Sequence, residues 1–407
     1  MTIVILVKHY LPGFKSGGPI RSLANLVDHL GDEFQFVVIT SDRDSGDRLP
    51  YPGIRHGIAQ RVGKAEVIYL GPAAFQTAEL RRTLRTVRPD VLYLNSFFAR
   101  RFAMLPVAWH QLRAASPWSI ILAPRGEFSP GALRLNPLRK RGFLALSNTL
   151  GLHRGITWQA SSDLEAADIR RCIRSTIPSR GRLADAILVA PDPLPPNGGV
   201  PLPRAEKHSG HLRILFLSRI VAKKNLLGAI DILAGTRGSV TLTICGPIEQ
   251  PAYWSRCQRA LAQLPPNVQV RSIPPVEHAG VAELMAQHDL FLLPTLGENY
   301  GHVVAEALQG GCLPLISDQT PWRGLQHAGI GWDLPLDTPD AFRAVIQECI
   351  AMNGAQFRSY STRATVYARE RVADASVIDA NRALFHSVVS RSAAHAPRSV
   401  ADRAVTT

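Results

Sequence analysis

Residues 290–311 read LFLLPTLGENYGHVVAEALQGG, and this stretch indicates the fold class. The apolar run 290–294 is typical of a short buried strand, and a loop containing glycine follows it. Apolar residues then recur at helical spacing from Gly301 until Gly310 and Gly311, which form a common helix stop. A strand, a short loop and a helix in this order make one unit of a parallel α/β sheet.

The same alternation of strand and helix extends outward from this unit along the whole chain. In the first half, we expect strands at residues 2–7, 34–40, 66–70, 91–94, 119–123, 155–160 and 186–190. In the second half, we expect strands at residues 212–217, 240–245, 268–273, 290–294 and 313–316. Two such sets predict two Rossmann-like domains, each built on a doubly wound parallel sheet.

The boundary between the domains is predicted from proline and glycine. Residues 191–201 read PDPLPPNGGVP, which is typical of an exposed connection. We therefore expect a first domain at 1–190, a linker at 191–211 and a second domain at 212–389, whose last helix packs back on the first domain. Residues 390–407 are rich in Ala, Ser and Arg without periodicity, so a disordered tail is expected there.

The composition indicates a cytoplasmic globular protein. Hydrophobic residues make up 46% of the chain and charged residues 19%. No apolar run has the length of a membrane span, and the apolar opening at 2–7 lacks the basic leader of a signal peptide. The five cysteines are odd in number and form no C-x-x-C pair, which favours reduced thiols and argues against a zinc site.

The net charge of +14 is concentrated in the first half of the chain. Residues 1–190 contain 26 basic and 14 acidic side chains, whereas the remainder contains 20 and 18. Residues 133–144, LRLNPLRKRGFL, interleave basic and apolar residues. This segment predicts either contact with an anionic membrane surface or a helix with a core face and solvated arginines. Since no recognised nucleic-acid motif accompanies the charge, we do not expect nucleic acid as a partner.

A glycine motif follows the first predicted strand. Residues 15–21 read KSGGPIR, and an amphipathic helix is expected directly after them. Gly17 and Gly18 allow the backbone to approach a ligand closely, and the helix start offers free N–H groups to a phosphate. Taken alone, the motif is a weak signal, and the alternative is an ordinary tight turn.

A basic motif follows the first strand of the second domain. Residues 217–225 read LSRIVAKKN, which places Arg219 at the carboxyl end of the strand and Lys224 at the start of the next helix. Ligands bind at that end of an open α/β sheet. Two cations there suit a diphosphate, and the alternative is a solvated basic turn.

Two glutamates lie near the predicted helix start at Gly301. The helix beginning at Gly301 offers N–H donors to an anion. Glu306 lies about 6 Å further along the helix axis. This offset suits a diphosphate at the helix start and a ribose diol at the carboxylate, while Glu298 in the loop can reach a sugar. A carboxylate within an otherwise apolar helix is costly unless it is partnered.

Glu298 and Glu306, separated by seven residues, together with Arg219 and Lys224 resemble the retaining GT-B glycosyltransferases of family four. The opening 11–23, LPGFKSGGPIRSL, resembles bacterial members that build cell-surface polysaccharides. The resemblance runs from this opening to Asp318, which is most of the chain. It implies two Rossmann-like domains that face each other across a cleft.

The resemblance also implies roles for particular residues. Catalysis is expected of Glu298, Arg219 and Lys224. The donor is expected to contact Gly17, Gly18, Arg219, Lys224, Asn299, Tyr300, Gly301, His302 and Glu306. Many relatives have a histidine at the tip of the fourth strand near the acceptor, but this chain has Asn95 and Ser96 there. Arg125 and Glu127, in the motif PRGEFSP at 124–130, are further acceptor-side candidates or brace their own loop.

The expected activity is hexosyl transfer from a UDP- or GDP-linked sugar to a glycan or a polyprenyl-pyrophosphate-linked acceptor. The resemblance implies retention at the anomeric carbon, no metal and no other cofactor, in cell-surface polysaccharide biosynthesis at the inner face of the plasma membrane. Asp42-Arg43-Asp44 matches the metal-binding pair of the GT-A architecture, but its turn-rich surroundings favour a solvated loop. A UDP-sugar 2-epimerase and a non-catalytic nucleotide-sugar-binding protein are the alternatives.

Overall fold

A computed structural model of the chain describes residues 1–72, 77–112, 118–134, 137–173, 186–195 and 202–395. Part of the predicted linker, 196–201, and most of the predicted tail, 396–407, lie outside the described residues.

The first domain contains one sheet with the strand order β3-β4-β2-β1-β5-β6-β7-β8. β3 pairs antiparallel with β4 at the edge, and the other neighbouring strands pair in parallel. The strands are β1 (Thr2–Leu6), β2 (Gln35–Ser41), β3 (Gln60–Val62), β4 (Ala65–Leu70), β5 (Val91–Asn95), β6 (Ser119–Ala123), β7 (Ile156–Ala160) and β8 (Ile187–Val189).

The second domain contains a parallel sheet with the order β11-β10-β9-β12-β13-β14. Its strands are β9 (His211–Leu217), β10 (Ser239–Cys245), β11 (Val268–Ile273), β12 (Leu290–Leu293), β13 (Leu313–Ser317) and β14 (Trp332–Leu334). In both sheets the order reverses direction beside the first strand, which is the doubly wound arrangement. The predicted fold class of two parallel α/β domains is therefore confirmed.

Helices cover the faces of the two sheets. In the first domain they are α1 (Gly18–Leu30), α2 (Thr77–Val87), α3 (Leu105–Gln111), α4 (Pro130–Arg134), α5 (Pro137–Thr149) and α6 (Asp163–Cys172), with a π-helical segment at Arg100–Met104. In the second part of the chain they are α7 (Leu226–Ala234), α8 (Pro251–Leu261), α9 (His278–Ala286), α10 (His302–Gln309), α11 (Pro339–Ala351), α12 (Gly354–Val372) and α13 (Ala375–His395). Among the described residues, no helix is long and apolar enough to cross a membrane.

All twelve predicted strands are present, and each bound lies within one residue of its predicted position. The edge strands β3 and β14 were not predicted. Each has three residues, which is too short for an alternating pattern to be recognised, and each carries a polar residue in the middle.

The last helix, α13, packs against the first sheet. The buried ring of Phe385 lies 5.6 Å from Phe34, 6.0 Å from Phe36 and 5.7 Å from Tyr93, measured between ring centroids. The helix continues to His395, whereas the sequence predicts disorder from residue 390. Its last residues, SRSAAH, include alanine and arginine, which are strong helix formers, so the backbone continues without an apolar stripe.

The described start of the linker is buried rather than exposed. Asn25 and His29 of α1 bond the carbonyl oxygens of Pro193 and Leu194 at 2.9 Å each. The prediction of an exposed connection is wrong for this part because proline density identifies a break in regular structure, not its burial. The chain leaves the first sheet pressed against α1.

Candidate active site

The two domains face each other across a cleft with a volume of about 260 Å³. The carboxyl ends of β6, β9 and β12 lead into it, since Arg125, Arg219 and Glu298 follow those strands. The donor-side residues predicted from the sequence all line this cleft: Gly17, Gly18, Arg219, Lys224, Glu298, Asn299, Tyr300, Gly301, His302 and Glu306. Of the acceptor-side candidates, Arg125 lines the cleft, whereas Asn95, Ser96 and Glu127 do not.

The glycine loop is anchored by an aspartate that the sequence analysis assigns to a solvated loop. The carboxylate of Asp44 accepts hydrogen bonds from the backbone amides of Phe14 and Lys15 at 2.7 and 3.1 Å. Asp44 is buried, as is Asp42, which pairs with Arg43. The expectation of solvation is therefore wrong, because Asp44 fixes the neighbouring loop and Asp42 is held in its pair with Arg43. Gly17, just beyond the anchor, has a φ of +67°, which favours glycine.

Helix α10 carries a carboxyl group with an unusually high pKa. Glu306 lines the cleft, 3.4 Å from His278 Nδ1. Burial raises the pKa of the Glu306 carboxyl to about 7, although the positive charge of Arg21 acts in the opposite direction. A carboxyl group that ionises near neutral pH beside a cation is typical of a ligand-binding position.

Lys224 and Glu298 form an ion pair in the floor of the cleft, with side chains that are 12% and 14% exposed. Burial alone would raise the pKa of Glu298, but Lys224, Lys223 and Arg219 together lower it. Lys224 does not begin a helix as predicted. It ends a short 3-10 turn, and Asn225 then adopts a left-handed conformation and caps α7 by accepting from the Gly228 amide at 3.2 Å.

Arg219 has a partner that the sequence analysis missed. Its guanidinium group lies 3.0 Å from the Glu249 carboxylate, and both side chains are about one third exposed. The pair is therefore accessible, and the guanidinium retains donors that face the cleft.

The four acceptor-side candidates form two hydrogen-bonded pairs, Ser96 with Glu127 and Arg125 with Asn95. Glu127 is partly buried and accepts hydrogen bonds from Ser96 Oγ and the Phe97 amide at 2.6 Å each and from the Phe98 amide at 3.0 Å. Arg125 donates to Asn95 at 2.9 Å. These contacts favour the bracing role over direct contact with an acceptor for Glu127, because its oxygen atoms are already used.

A buried polar network joins Arg125 to both domains. The Arg125 guanidinium pairs with Asp192 in the linker. Ser22 Oγ lies 2.5 Å from Asp192 Oδ2 and 2.8 Å from Nε2 of His302, the first residue of α10. Burial lowers the pKa of His302 to about 4, although Asp192 acts in the opposite direction, so the imidazole is neutral at pH 7. The network fixes α1 against the start of α10.

The domains also touch beside the cleft. Ser161 Oγ donates to Asn299 Oδ1 at 3.1 Å, and a side chain at Gly131 would collide with the carbonyl group of Leu296. The structure therefore has a closed cleft, with Asn299 held against the first domain.

Several residues in or beside the cleft were not singled out from the sequence. Arg21, Ser22, Asp192 and His278 line the cleft, and Glu249 pairs with Arg219. Arg21 and Ser22 lie in or next to the quoted glycine motif, and Asp192 lies three residues after the last strand of the first sheet. Their positions in the sequence were therefore the available signal for these three residues. Nothing local distinguishes Glu249 or His278.

Comparison with known proteins adds to this geometry. Residues 203–365 match the family described as glycosyl transferases group 1. No curated protein sequence matches the chain. Sucrose-phosphate synthase from Thermosynechococcus elongatus has a similar structure, with 14% identity, a TM-score of 0.69, and coverage of 96% of this chain and 99% of that one.

Two further solved structures are similar over nearly the whole chain. HepE from Anabaena, in complex with UDP and glucose, has 16% identity and a TM-score of 0.64, with 96% and 100% of the two chains covered. WaaG, a glycosyltransferase involved in lipopolysaccharide biosynthesis, has 16% identity and a TM-score of 0.62, with 91% and 95% covered. At these identities the likeness shows the fold alone.

Two Rossmann-like domains that face each other across a cleft make up the GT-B fold, and the family match lies in the second of them.

Proposed function

We propose that this protein transfers a hexosyl group from a UDP- or GDP-linked sugar to a hydroxyl group of a glycan or a polyprenyl-pyrophosphate-linked acceptor. The observation that carries the proposal is that Arg219, Lys224, Glu298, Glu306 and the start of α10 share one cleft. The solved complex of HepE with UDP and glucose supports a nucleotide-sugar donor for this fold.

In the proposed complex, the donor diphosphate lies at the start of α10, where Gly301 and His302 offer backbone N–H groups. Arg219 and Lys224 bind its oxygen atoms, and the Gly17-Gly18 loop covers them. The ribose hydroxyls donate to Glu306, and the transferred sugar contacts Glu298. Asn299 and Tyr300, in the loop before α10, complete the donor site.

We propose that transfer proceeds with retention and without a metal. The bond between the anomeric carbon and the diphosphate oxygen breaks, and the acceptor oxygen bonds the same face of that carbon. The acceptor proton passes to the departing diphosphate, so no protein nucleophile is required. The chain contributes orientation and stabilises the developing negative charge with Arg219, Lys224 and the helix N–H groups.

A place at the inner face of the plasma membrane, in cell-surface polysaccharide biosynthesis, is also proposed. Helix α5 buries Leu144 but leaves Leu138 and Leu146 exposed, at 88% and 55%. Arg139 and Arg141 are exposed on the same helix. Exposed leucines beside arginines favour contact with an anionic membrane over an ordinary solvated helix.

A thermal-shift series with UDP-, GDP- and ADP-sugars tests the donor assignment. A specific donor at one hundred times its Kd should stabilise the protein by about 2.7 kcal/mol, and therefore raise Tm by a few degrees. The UDP- or GDP-sugars should do this, and ADP-sugars should not. Absence of a shift with every nucleotide-sugar would contradict the proposal.

Incubation with the stabilising donor alone separates transfer from epimerisation. A transferase should leave the donor sugar unchanged in its proton NMR spectrum until an acceptor is added. A 2-epimerase would convert the donor, or release free nucleotide, without any acceptor. A non-catalytic binding protein would bind the donor and release no nucleotide diphosphate with any acceptor.

Donor affinity should depend on pH through Glu306. Ribose hydroxyls bond the carboxylate, so binding requires loss of the proton that Glu306 carries below its pKa of about 7. Affinity should therefore rise with pH, by at most about tenfold per pH unit below pH 7, and level off above it. Titration calorimetry at pH 5.5 to 8.5 measures this, and a nucleotide-sugar is suitable because its diphosphate diester stays ionised throughout.

Glu306→Gln is the matched control for this titration. It keeps the size of the side chain and removes its proton equilibrium, so donor affinity should become nearly independent of pH. An unchanged pH profile in Glu306→Gln would assign the titration to another group.

A further inference from the structure

A second cavity lies within the first domain, with a volume of about 720 Å³. It is a partly open cavity between β6 of the first sheet, the segment formed by the π-helical turn and α3, and helix α5. Its wall is largely apolar, with Phe97, Val107, Leu122, Phe143, Leu152 and Ile156 among the residues that line it.

The size and the lining of the cavity resemble those of sites that bind small molecules. Sites for small molecules are typically about 300–1,000 Å³ and mostly apolar with a few polar groups. This cavity has both properties.

The polar groups of the cavity select for negative charge. Arg100 and Arg101 line it and are exposed at its rim, and no carboxylate lines it among the residues that the structure describes. His153 also lines it. Burial lowers the pKa of that imidazole to about 4, and its Nε2 lies 2.8 Å from Asn148 Oδ1, so it carries no charge at pH 7. The cavity therefore combines an apolar interior with a cationic rim.

Helix α5 contributes to the wall of the cavity and also carries exposed apolar side chains. Phe143 and Ser147 on the helix line the cavity, while Leu138, Leu146 and the following Leu150 are exposed. Exposed leucines on a helix that lines the cavity favour a ligand that is delivered from a bilayer.

We propose that this cavity binds the long apolar chain of an anionic membrane lipid, whose anionic head group meets Arg100 and Arg101. The lining favours a ligand that has both an apolar chain and an anionic head group. The apolar wall would not bind a free phosphate, and the cationic rim disfavours a positively charged amphiphile. This binding is separate from donor recognition and does not require the proposed transfer reaction.

The cavity is linked to the cleft by a short chain of contacts. The amide of Phe97, whose ring lines the cavity, donates to Glu127. Gly126, which precedes Glu127, lies against Asn299 in the donor loop. A Cβ atom added to Gly126 would lie 3.0 Å from Asn299 Cβ. An occupant of the cavity thus lies behind the acceptor-side wall of the cleft.

Binding of alkyl phosphates to the full chain tests the proposal. Titration calorimetry should be done below the critical micelle concentration with octyl, decyl and dodecyl phosphate. Each added methylene that enters the cavity should strengthen binding by about fourfold. Inorganic phosphate should not bind measurably, and dodecyl maltoside, which has the chain without the charge, should bind at least tenfold more weakly than dodecyl phosphate. Equal affinity across the chain-length series would overturn the proposal.

Two variants locate the binding. Ala108→Trp places a large side chain in the cavity and should weaken dodecyl phosphate binding by at least tenfold. Arg100→Glu with Arg101→Glu should weaken dodecyl phosphate binding similarly while leaving dodecyl maltoside binding unchanged. Arg85→Glu, which alters an exposed arginine of α2 that does not line the cavity, is the matched control and should bind normally. Wild-type affinity in Ala108→Trp would place the chain on the outer surface of α5 and refute the cavity site; the chain-length series in the wild-type protein decides the question if that variant fails to fold.

Discussion

Lys224→Ala is expected to lower kcat/KM for sugar transfer by about a hundredfold to a thousandfold. Removal of a donor that faces the charge developing in a transition state typically has an effect of this size. The Lys224 ammonium lies in the cleft beside Glu298, and in the proposed reaction it stabilises the departing diphosphate. Most of the loss should appear in kcat, because the negative charge on that group grows as its bond to the sugar breaks. Steady-state kinetics with the donor found by thermal shift measures both constants.

The same substitution should lower the melting temperature, which needs a separate control. It leaves the buried Glu298 carboxylate without its closest cation, although Lys223 and Arg219 also act on that group. The loss of stability should therefore be smaller than the about 3–5 kcal/mol typical of breaking a fully buried pair. The double variant Lys224→Met with Glu298→Gln removes both charges, so it should recover Tm without recovering activity.

Two further single variants serve as comparisons for Lys224→Ala. Arg219→Ala removes the second diphosphate ligand, and since its pair with Glu249 is partly exposed, activity should fall with little change in Tm. Lys64→Ala breaks the surface pair with Asp32 and should change neither activity nor Tm appreciably. Wild-type kcat/KM in both Lys224→Ala and Arg219→Ala would refute the diphosphate role.

The fold could be predicted from the sequence because its determinants are local. A buried parallel strand requires a run of apolar residues, and the crossover helix requires an amphipathic stretch of sufficient length. Both patterns lie within about twenty residues, so each βα unit can be recognised by itself. The edge strands β3 and β14 were not predicted, because three residues are too few to show an alternation of apolar and polar side chains.

The donor side of the candidate site was predictable for a related reason. In a doubly wound sheet, the loops after neighbouring strands converge at one edge. Motifs after the strands now assigned as β9 and β12, which are neighbours in the second sheet, therefore had to approach one another if the fold was right. The glycine motif after β1 lies in the other domain, and its place in the same cleft followed only from the resemblance to GT-B enzymes. The distance between Glu298 and Lys224 was not predictable, because an ion pair between residues 74 apart depends on the conformation of both loops.

The contacts of the linker and of the acceptor-side residues could not be predicted from the sequence. Arg125 and Asp192 are 67 residues apart, and Ser22 and His302 are 280 apart. No local pattern specifies such pairs. Proline density around Asp192 correctly indicated a break between regular elements, but it gave no sign that the carboxylate would be buried between α1 and an arginine.

Asp192→Asn is expected to destabilise the protein by about 3–5 kcal/mol. The substitution preserves shape and one acceptor but removes the charge that faces Arg125. That guanidinium group is buried, and burial would lower its pKa if Asp192, Tyr93 and Glu165 did not raise it above its ordinary value. Without Asp192, a buried cation loses its principal counter-charge. Chemical denaturation measures the change in the free energy of unfolding.

The double variant Asp192→Asn with Arg125→Met should recover most of that free energy, because it removes the unpaired cation as well. Asp289→Asn is the matched control for kinetics: Asp289 is a buried aspartate paired with Arg213 at 2.6 Å, and both residues lie in the second domain. Each single variant should lower stability, but at a temperature where both are folded, Asp192→Asn alone should lower kcat/KM, since Asp192 holds Ser22 against His302 at the start of α10. If Asp192→Asn were as stable and as active as the wild-type protein, the buried network would not be what fixes α1 against the donor helix, and the closed cleft would have to depend on the contacts of Asn299 and Gly131 instead.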